Sequence, residues 1–131
     1  LAFAKFCDLL AKTLGYYPGD KVKFGGKEAR GIIKDWYHTA RTGNFSATGS
    51  HYDYDEAMHR SRVPVLALTY QGDSSAPPAA LKNLLGKFVS AQKEYHHILN
   101  PSFPKEKYDH YTWVKKPEIS LEVIQKWMEK I

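Results

Sequence analysis

One carboxylate and one imidazole in this sequence are spaced for proton transfer. Asp73 follows closely on Val63-Pro-Val-Leu-Ala-Leu-Thr-Tyr70, a nearly continuous apolar run rich in strand formers, and His110 lies beyond the next strand-like run, Lys93 to Leu99. In an open parallel sheet, the loops leaving the carboxyl ends of neighbouring strands gather where ligands bind. A carboxylate at that edge can accept the imidazole Nδ1–H, fix its tautomer and stabilise the imidazolium that forms when Nε2 takes a proton. Two plainer readings stay open for the same residues. Asp73 could close a turn or cap the helix after Pro78, and His110 could be an ordinary loop histidine.

Other chemistry-bearing residues form looser sets. His51, Asp53 and Asp55 would share one side of an extended segment, with Glu56 and His59 following, but nothing in the spacing fixes a closed ligand set. A solvated loop is the expectation there, and no metal is assigned. His96 and His97 are adjacent in a strand-like run, so they face opposite ways and cannot bind one metal. Trp36, Tyr37, Tyr111 and Trp113 are candidates for lining an apolar substrate pocket. For Trp36 and Tyr37, with Tyr52 and Tyr54, plain packing is the stronger reading.

The elements that must position these groups can be read from periodicity. Phe3, Phe6, Cys7, Leu10 and Leu14 recur at helical intervals before Gly15, which predicts an amphipathic helix over 1–14. Tyr16 to Asp20 reads as a turn, and a second helix is expected from about Ala29 to Thr42, ended at Gly43-Asn44. Residues 44–61 read as loop with a short strand. The second half is more regular: a strand over 63–70, a loop, a helix started by Pro77-Pro78, a strand over 93–99, a loop over 100–116, and a helix from about Glu118. That order is β-α-β-α, and it predicts an α/β fold with parallel strands and right-handed crossovers, its helices over one face.

The segment from Val63 to Pro78, with Gly72-Asp73 after an apolar strand and a proline-started helix next, resembles the penultimate strand and acid-bearing loop of α/β hydrolases. His110-Tyr-Thr-Trp-Val114, just before the last helix, is similar to their histidine loop. Gly15-Tyr-Tyr-Pro-Gly19 and Asp35-Trp36 add a resemblance to a bacterial group of α/β hydrolases in which these two motifs lie in the cap. The resemblance implies a partial α/β-hydrolase fold: a helical cap over residues 1–61 and the C-terminal part of the hydrolase core over 62–131. It implies Asp73 as the triad acid, His110 as the general base, a small ester-like or amide-like substrate, and no cofactor.

The family's nucleophile is a serine on a Gly-x-Ser-x-Gly elbow. None of Ser46, Ser50, Ser61, Ser74, Ser75, Ser90, Ser102 and Ser120 has glycines at both flanking positions. Cys7 sits on an apolar helical stripe and reads as core. Asp109 also departs from the narrower group, which favours glycine before the histidine. The chain is therefore expected to be the C-terminal part of a longer serine hydrolase, inactive alone, whose missing N-terminal half carries the nucleophile. The alternative is a non-catalytic α/β binding module on the same scaffold.

Composition narrows the classes. The 131 residues suffice for one compact domain, and no apolar run is long enough to span a membrane. The net charge of +5 comes from lysines and arginines dispersed among 14 acids, so neither a nucleic-acid nor a membrane partner is expected. A single cysteine rules out an internal disulfide framework and fits a reducing compartment, with the cytoplasm as the expectation.

Overall fold

The computed structural model describes residues 1–100 and 109–131, so the expected loop over 100–116 lies partly outside the described residues. The chain divides into two compact units, Leu1–Ala57 and Met58–Ile131.

The first unit opens with α1 (Ala2–Leu14), ended by Gly15 in the left-handed conformation at φ 79°. Only glycine enters that region without steric penalty, and the helix stops where the sequence predicts. Its buried stripe is Ala4, Cys7, Asp8 and Ala11, whereas Phe3, Phe6 and Leu14 stay about half exposed. The buried face thus keeps Cys7 and Leu10 of the expected stripe and replaces its phenylalanines with Ala4 and Ala11. Small side chains at positions 4, 7 and 11 let α1 lie close against its neighbours, where Tyr17 and Ile33 complete the core.

The expected turn over 16–20 is instead a strand, β1 (Tyr16–Pro18), antiparallel to β2 (Lys27–Ala29), with the short α2 (Gly19–Val22) between them. Backbone bonds from Gly19 N to Gly26 O at 2.9 Å and from Phe24 N to Gly19 O at 3.0 Å close this excursion. Gly19 is the residue that allows it, since a Cβ there would run into the carbonyl oxygens of Phe24 and Gly26. Next, α3 (Arg30–Thr42) ends at Gly43, again left-handed at φ 76°. The strand expected within 44–61 is replaced by a helix, α4 (Tyr54–Arg60). Asp53 Oδ1 accepts the Glu56 N–H at 2.9 Å, so the alternation read as a strand conceals a helix start.

The second unit is a β-α-β-α run of mixed helix and strand around a parallel pair. β3 (Val65–Tyr70) and β4 (Lys93–Ile98) pair in register, Val65 with Lys93 through Tyr70 with Ile98, joined through α5 (Pro78–Lys87). Pro78 starts α5, where its missing N–H leaves no bond unmade. A 3-10 turn at Trp113–Lys115 precedes α6 (Glu118–Met128).

Strand alternation shows that α5 and α6 cover opposite faces of the pair, contrary to the single covered face expected. On one face, Lys82 of α5 sits 5.0 Å from the centre of the Tyr95 ring. On the other, the Tyr70 hydroxyl meets Ser120 Oγ of α6 at 3.2 Å. Tyr70 and Ile98 form the buried core of that face, with Leu68 and Trp113 packed against them. Along α6 the expected apolar stripe holds at Val123, Ile124 and Trp127, which are half-buried, but Met128, its last residue, and Ile131 beyond it are exposed. No helix among the described residues is long and apolar enough to cross a membrane.

Candidate active site

Asp73 follows β3 by one tight turn. Gly72, at φ 97°, reverses the chain, and the Asp73 N–H returns to the Tyr70 carbonyl at 3.1 Å. The carboxylate points inward, with its side chain only 3 % exposed. Its two oxygens have separate tasks. Oδ1 accepts the backbone N–H groups of Ser75 at 2.9 Å and Ala76 at 3.0 Å. Oδ2 lies 3.1 Å from Nδ1 of His110.

Asp73 therefore closes its own turn, as the plainer reading allowed, and also receives the imidazole. It does not cap α5, whose first residue is preceded by Pro77 with no side-chain cap. A buried carboxylate is tolerated only when its lone pairs are used, and here three donors serve it.

His110 lies in the turn that leads to the 3-10 segment. With Nδ1 turned to Asp73, the proton belongs on Nδ1 and the lone pair on Nε2. The side chain is 45 % exposed, and among the described residues Nε2 takes no hydrogen-bond partner. Among the described residues the arrangement leaves Nε2 open with the ring held in one tautomer, so it can accept a proton from an incoming group and later return one.

Of the candidate pocket residues, Tyr111 is 70 % exposed and sets its ring at 85° to the His110 ring, centroids 4.9 Å apart. Trp113 belongs to the core instead, stacked on Tyr70 with centroids 5.5 Å apart and planes 11° apart. Trp36 and Tyr37 lie on α3 in the first unit, and Trp36 packs with Phe3 and Phe24 in an aromatic group.

Other candidate residues have local partners. Asp53 starts α4, and Asp55 Oδ2 accepts the Phe45 N–H at 2.8 Å. Among the described residues no three His, Cys, Asp or Glu side chains gather around a common point. His96 and His97 face opposite ways: Nε2 of His96 meets Glu94 Oε1 at 2.6 Å, while Nδ1 of His97 meets Thr69 Oγ1 at 2.9 Å. The bond from His96, reinforced by Lys130, holds the Glu94 carboxyl below the usual glutamate range. These groups line a groove of about 590 Å³ between β4 and α6 that includes neither Asp73 nor His110. Ser120 is fully buried under the Tyr70 hydroxyl, a position for packing and not for attack.

Two supports of the site escape periodicity. One is the pair of N–H groups on Asp73 Oδ1, whose signal is an Asp followed by Ser-Ser, the composition of an Asx turn. The other is Asp109, whose carboxylate accepts bonds from the N–H groups of Tyr111 and Thr112, each at 3.2 Å.

Set against family models, curated proteins and solved structures, the chain matches none of them.

Proposed function

We propose that Asp73 and His110 are the acid and general base of a serine hydrolase of the α/β-hydrolase type, acting by acyl transfer on a small ester-like or amide-like substrate. The observation that carries this reading is the 3.1 Å contact between His110 Nδ1 and the buried Oδ2 of Asp73. The β-α-β-α order, with the two groups on loops that follow successive parallel strands, supports it as well.

In this proposal a serine upstream of Leu1 supplies the nucleophile, and residues 1–61 are the helical cap region. The serine hydroxyl attacks the carbonyl carbon while His110 Nε2 takes its proton. The Nδ1–H stays bonded to Asp73, which keeps its charge and stabilises the imidazolium. As the tetrahedral intermediate collapses, the imidazolium returns its proton to the leaving group. Water then repeats the sequence on the acyl-enzyme, with His110 again accepting and donating the proton. No cofactor enters. The lone Cys7 fits a reducing compartment, and the cytoplasm is the proposed location.

Replacing His110 with Ala in the full-length gene product tests this. The expected result is a fall in kcat on an activated ester of roughly 10³-fold or more, with the fold retained. A His110→Ala enzyme with unchanged turnover overturns the assignment. The absence of a Gly-x-Ser-x-Gly in this sequence favours one competing reading, a non-catalytic binding module. A full-length protein that turns over no ester, with no such elbow upstream, would establish it.

A further inference from the structure

Asp109 places a carboxylate next in sequence to the proposed base, and one of its oxygens is turned into its own loop. Oδ1 of Asp109 accepts the N–H of Tyr111 at 3.2 Å, the N–H of Thr112 at 3.2 Å and the Thr112 hydroxyl at 3.0 Å. The same hydroxyl accepts the Asp109 N–H at 2.8 Å. Asp109 and Thr112 therefore bond reciprocally across the turn whose second residue is His110. It is the arrangement of a capping box, in which side chains at both ends satisfy backbone donors that the turn leaves open. The far end is anchored separately, because Trp113 is stacked on Tyr70 in the core and its N–H reaches the Asp109 carbonyl at 3.4 Å.

His110 itself is nearly half exposed, so burial alone does not fix its ring. Among the described residues, its position is set, apart from the bond to Asp73, by the backbone that carries it and by the perpendicular Tyr111 ring. We propose that Asp109 is a positioning residue: its bonds to Tyr111 and Thr112 hold the turn that seats the His110 imidazole on Asp73. This rests on the reading of His110 as the general base, but the seat can be measured without any turnover. A misplacement of about 1 Å in a reacting group can lower a rate roughly 10²-fold, so the turn is expected to matter for kcat more than for KM.

Three variants of the full-length protein separate geometry from charge. Asp109→Asn keeps the Oδ1 acceptor without the charge, Asp109→Ala removes it, and Thr112→Val removes the hydroxyl while leaving the backbone N–H. With histidine labelled in ¹⁵N, the Nδ1–H proton that His110 gives to Asp73 is read as an exchange-protected resonance, assigned by its loss in His110→Gln. Asp109→Asn should keep that resonance and a kcat within about threefold of the parent. Asp109→Ala and Thr112→Val should broaden or lose it, with kcat down about tenfold to 10²-fold and KM little changed. The proposal is overturned if the resonance persists unchanged in Asp109→Ala and Thr112→Val, or if Asp109→Asn loses it too, which would make the charge the cause. If Asp109→Ala fails to fold, the Thr112→Val and Asp109→Asn pair still decides. Absence of ester turnover in the parent protein as well as in every variant counts against the hydrolase reading, while the resonance continues to report on Asp109.

Discussion

Replacing Asp73 with Asn separates its structural task from the chemical one proposed for it. The asparagine Oδ1 keeps the acceptor used by the N–H groups of Ser75 and Ala76. An amide NH₂ replaces Oδ2 opposite His110 Nδ1, where the two groups are 3.1 Å apart in the native protein. A donor facing Nδ1 favours the tautomer with its proton on Nε2, the nitrogen that must be free to act as base. In a serine protease this exchange lowers kcat about 10⁴-fold, which corresponds to a barrier increase of about 5.5 kcal/mol. The stability change should be much smaller, about 1.5–3 kcal/mol at most, since one charge-assisted bond is lost and two backbone bonds remain. Asp73→Ala removes those as well and leaves two N–H groups without their acceptor, so it should lie further down in stability by about 1–3 kcal/mol for each donor that stays dry. Steady-state ester hydrolysis by the full-length protein, paired with denaturant unfolding, measures both quantities. An Asp73→Asn enzyme within tenfold of the parent kcat would refute the tautomer argument, whatever its stability.

Tyr17 is fully buried, and burial first, then its bond from Cys7 Sγ at 3.4 Å, pushes its phenol up to about 12. Because the folded state favours the protonated phenol, the first unit should lose stability as pH rises from about 10 towards 12, and Tyr17→Phe should flatten that slope in alkaline thermal melts. Glu94 titrates in the opposite sense: the His96 bond, followed by Lys130, lowers its carboxyl, so its contribution is present above about pH 4.3 and lost as pH falls further. Glu94→Gln should remove only a shallow part of the acid-side slope in melts between about pH 6 and 3, since partly exposed pairs contribute little. Gly19→Ala should destabilise by about 1–3 kcal/mol, because its Cβ meets carbonyl oxygens that cannot move aside, whereas Gly86→Ala, in α5 with open space around it, should stabilise by up to about 1 kcal/mol in denaturant titrations.

The strand and helix order of the second unit was legible because its signals are local. An apolar run, a proline pair and a helical stripe sit one after another, and each element formed within about two residues of its expected bounds. Gly15 and Gly43 stopped their helices for a reason visible in a single residue type. What escaped depends on contacts between distant residues. The buried face of α1 includes the expected Cys7 and Leu10 but takes Ala4 and Ala11 in place of Phe3 and Phe6, because its partners lie too close for large rings. β1 and β2 were missed because each has only three residues and forms through pairing across the Gly19 excursion. At Tyr54–Arg60 the tyrosine alternation points to a strand, but the Asp53 and Glu56 start signal prevails and a helix forms. At the site, order along the chain suggests that Asp73 and His110 can meet and Asp73-Ser-Ser75 signals the turn, but that one oxygen serves the turn while the other meets the imidazole depends on backbone geometry between distant residues.

The most direct test of Asp73 and His110 as an acid–base pair is fluorophosphonate labelling of the full-length gene product, read by peptide mass spectrometry. Covalent phosphonylation of one serine upstream of Leu1, abolished in a folded His110→Ala variant, is the expected result. Absence of labelling on folded protein, or equal labelling with and without His110, would contradict it.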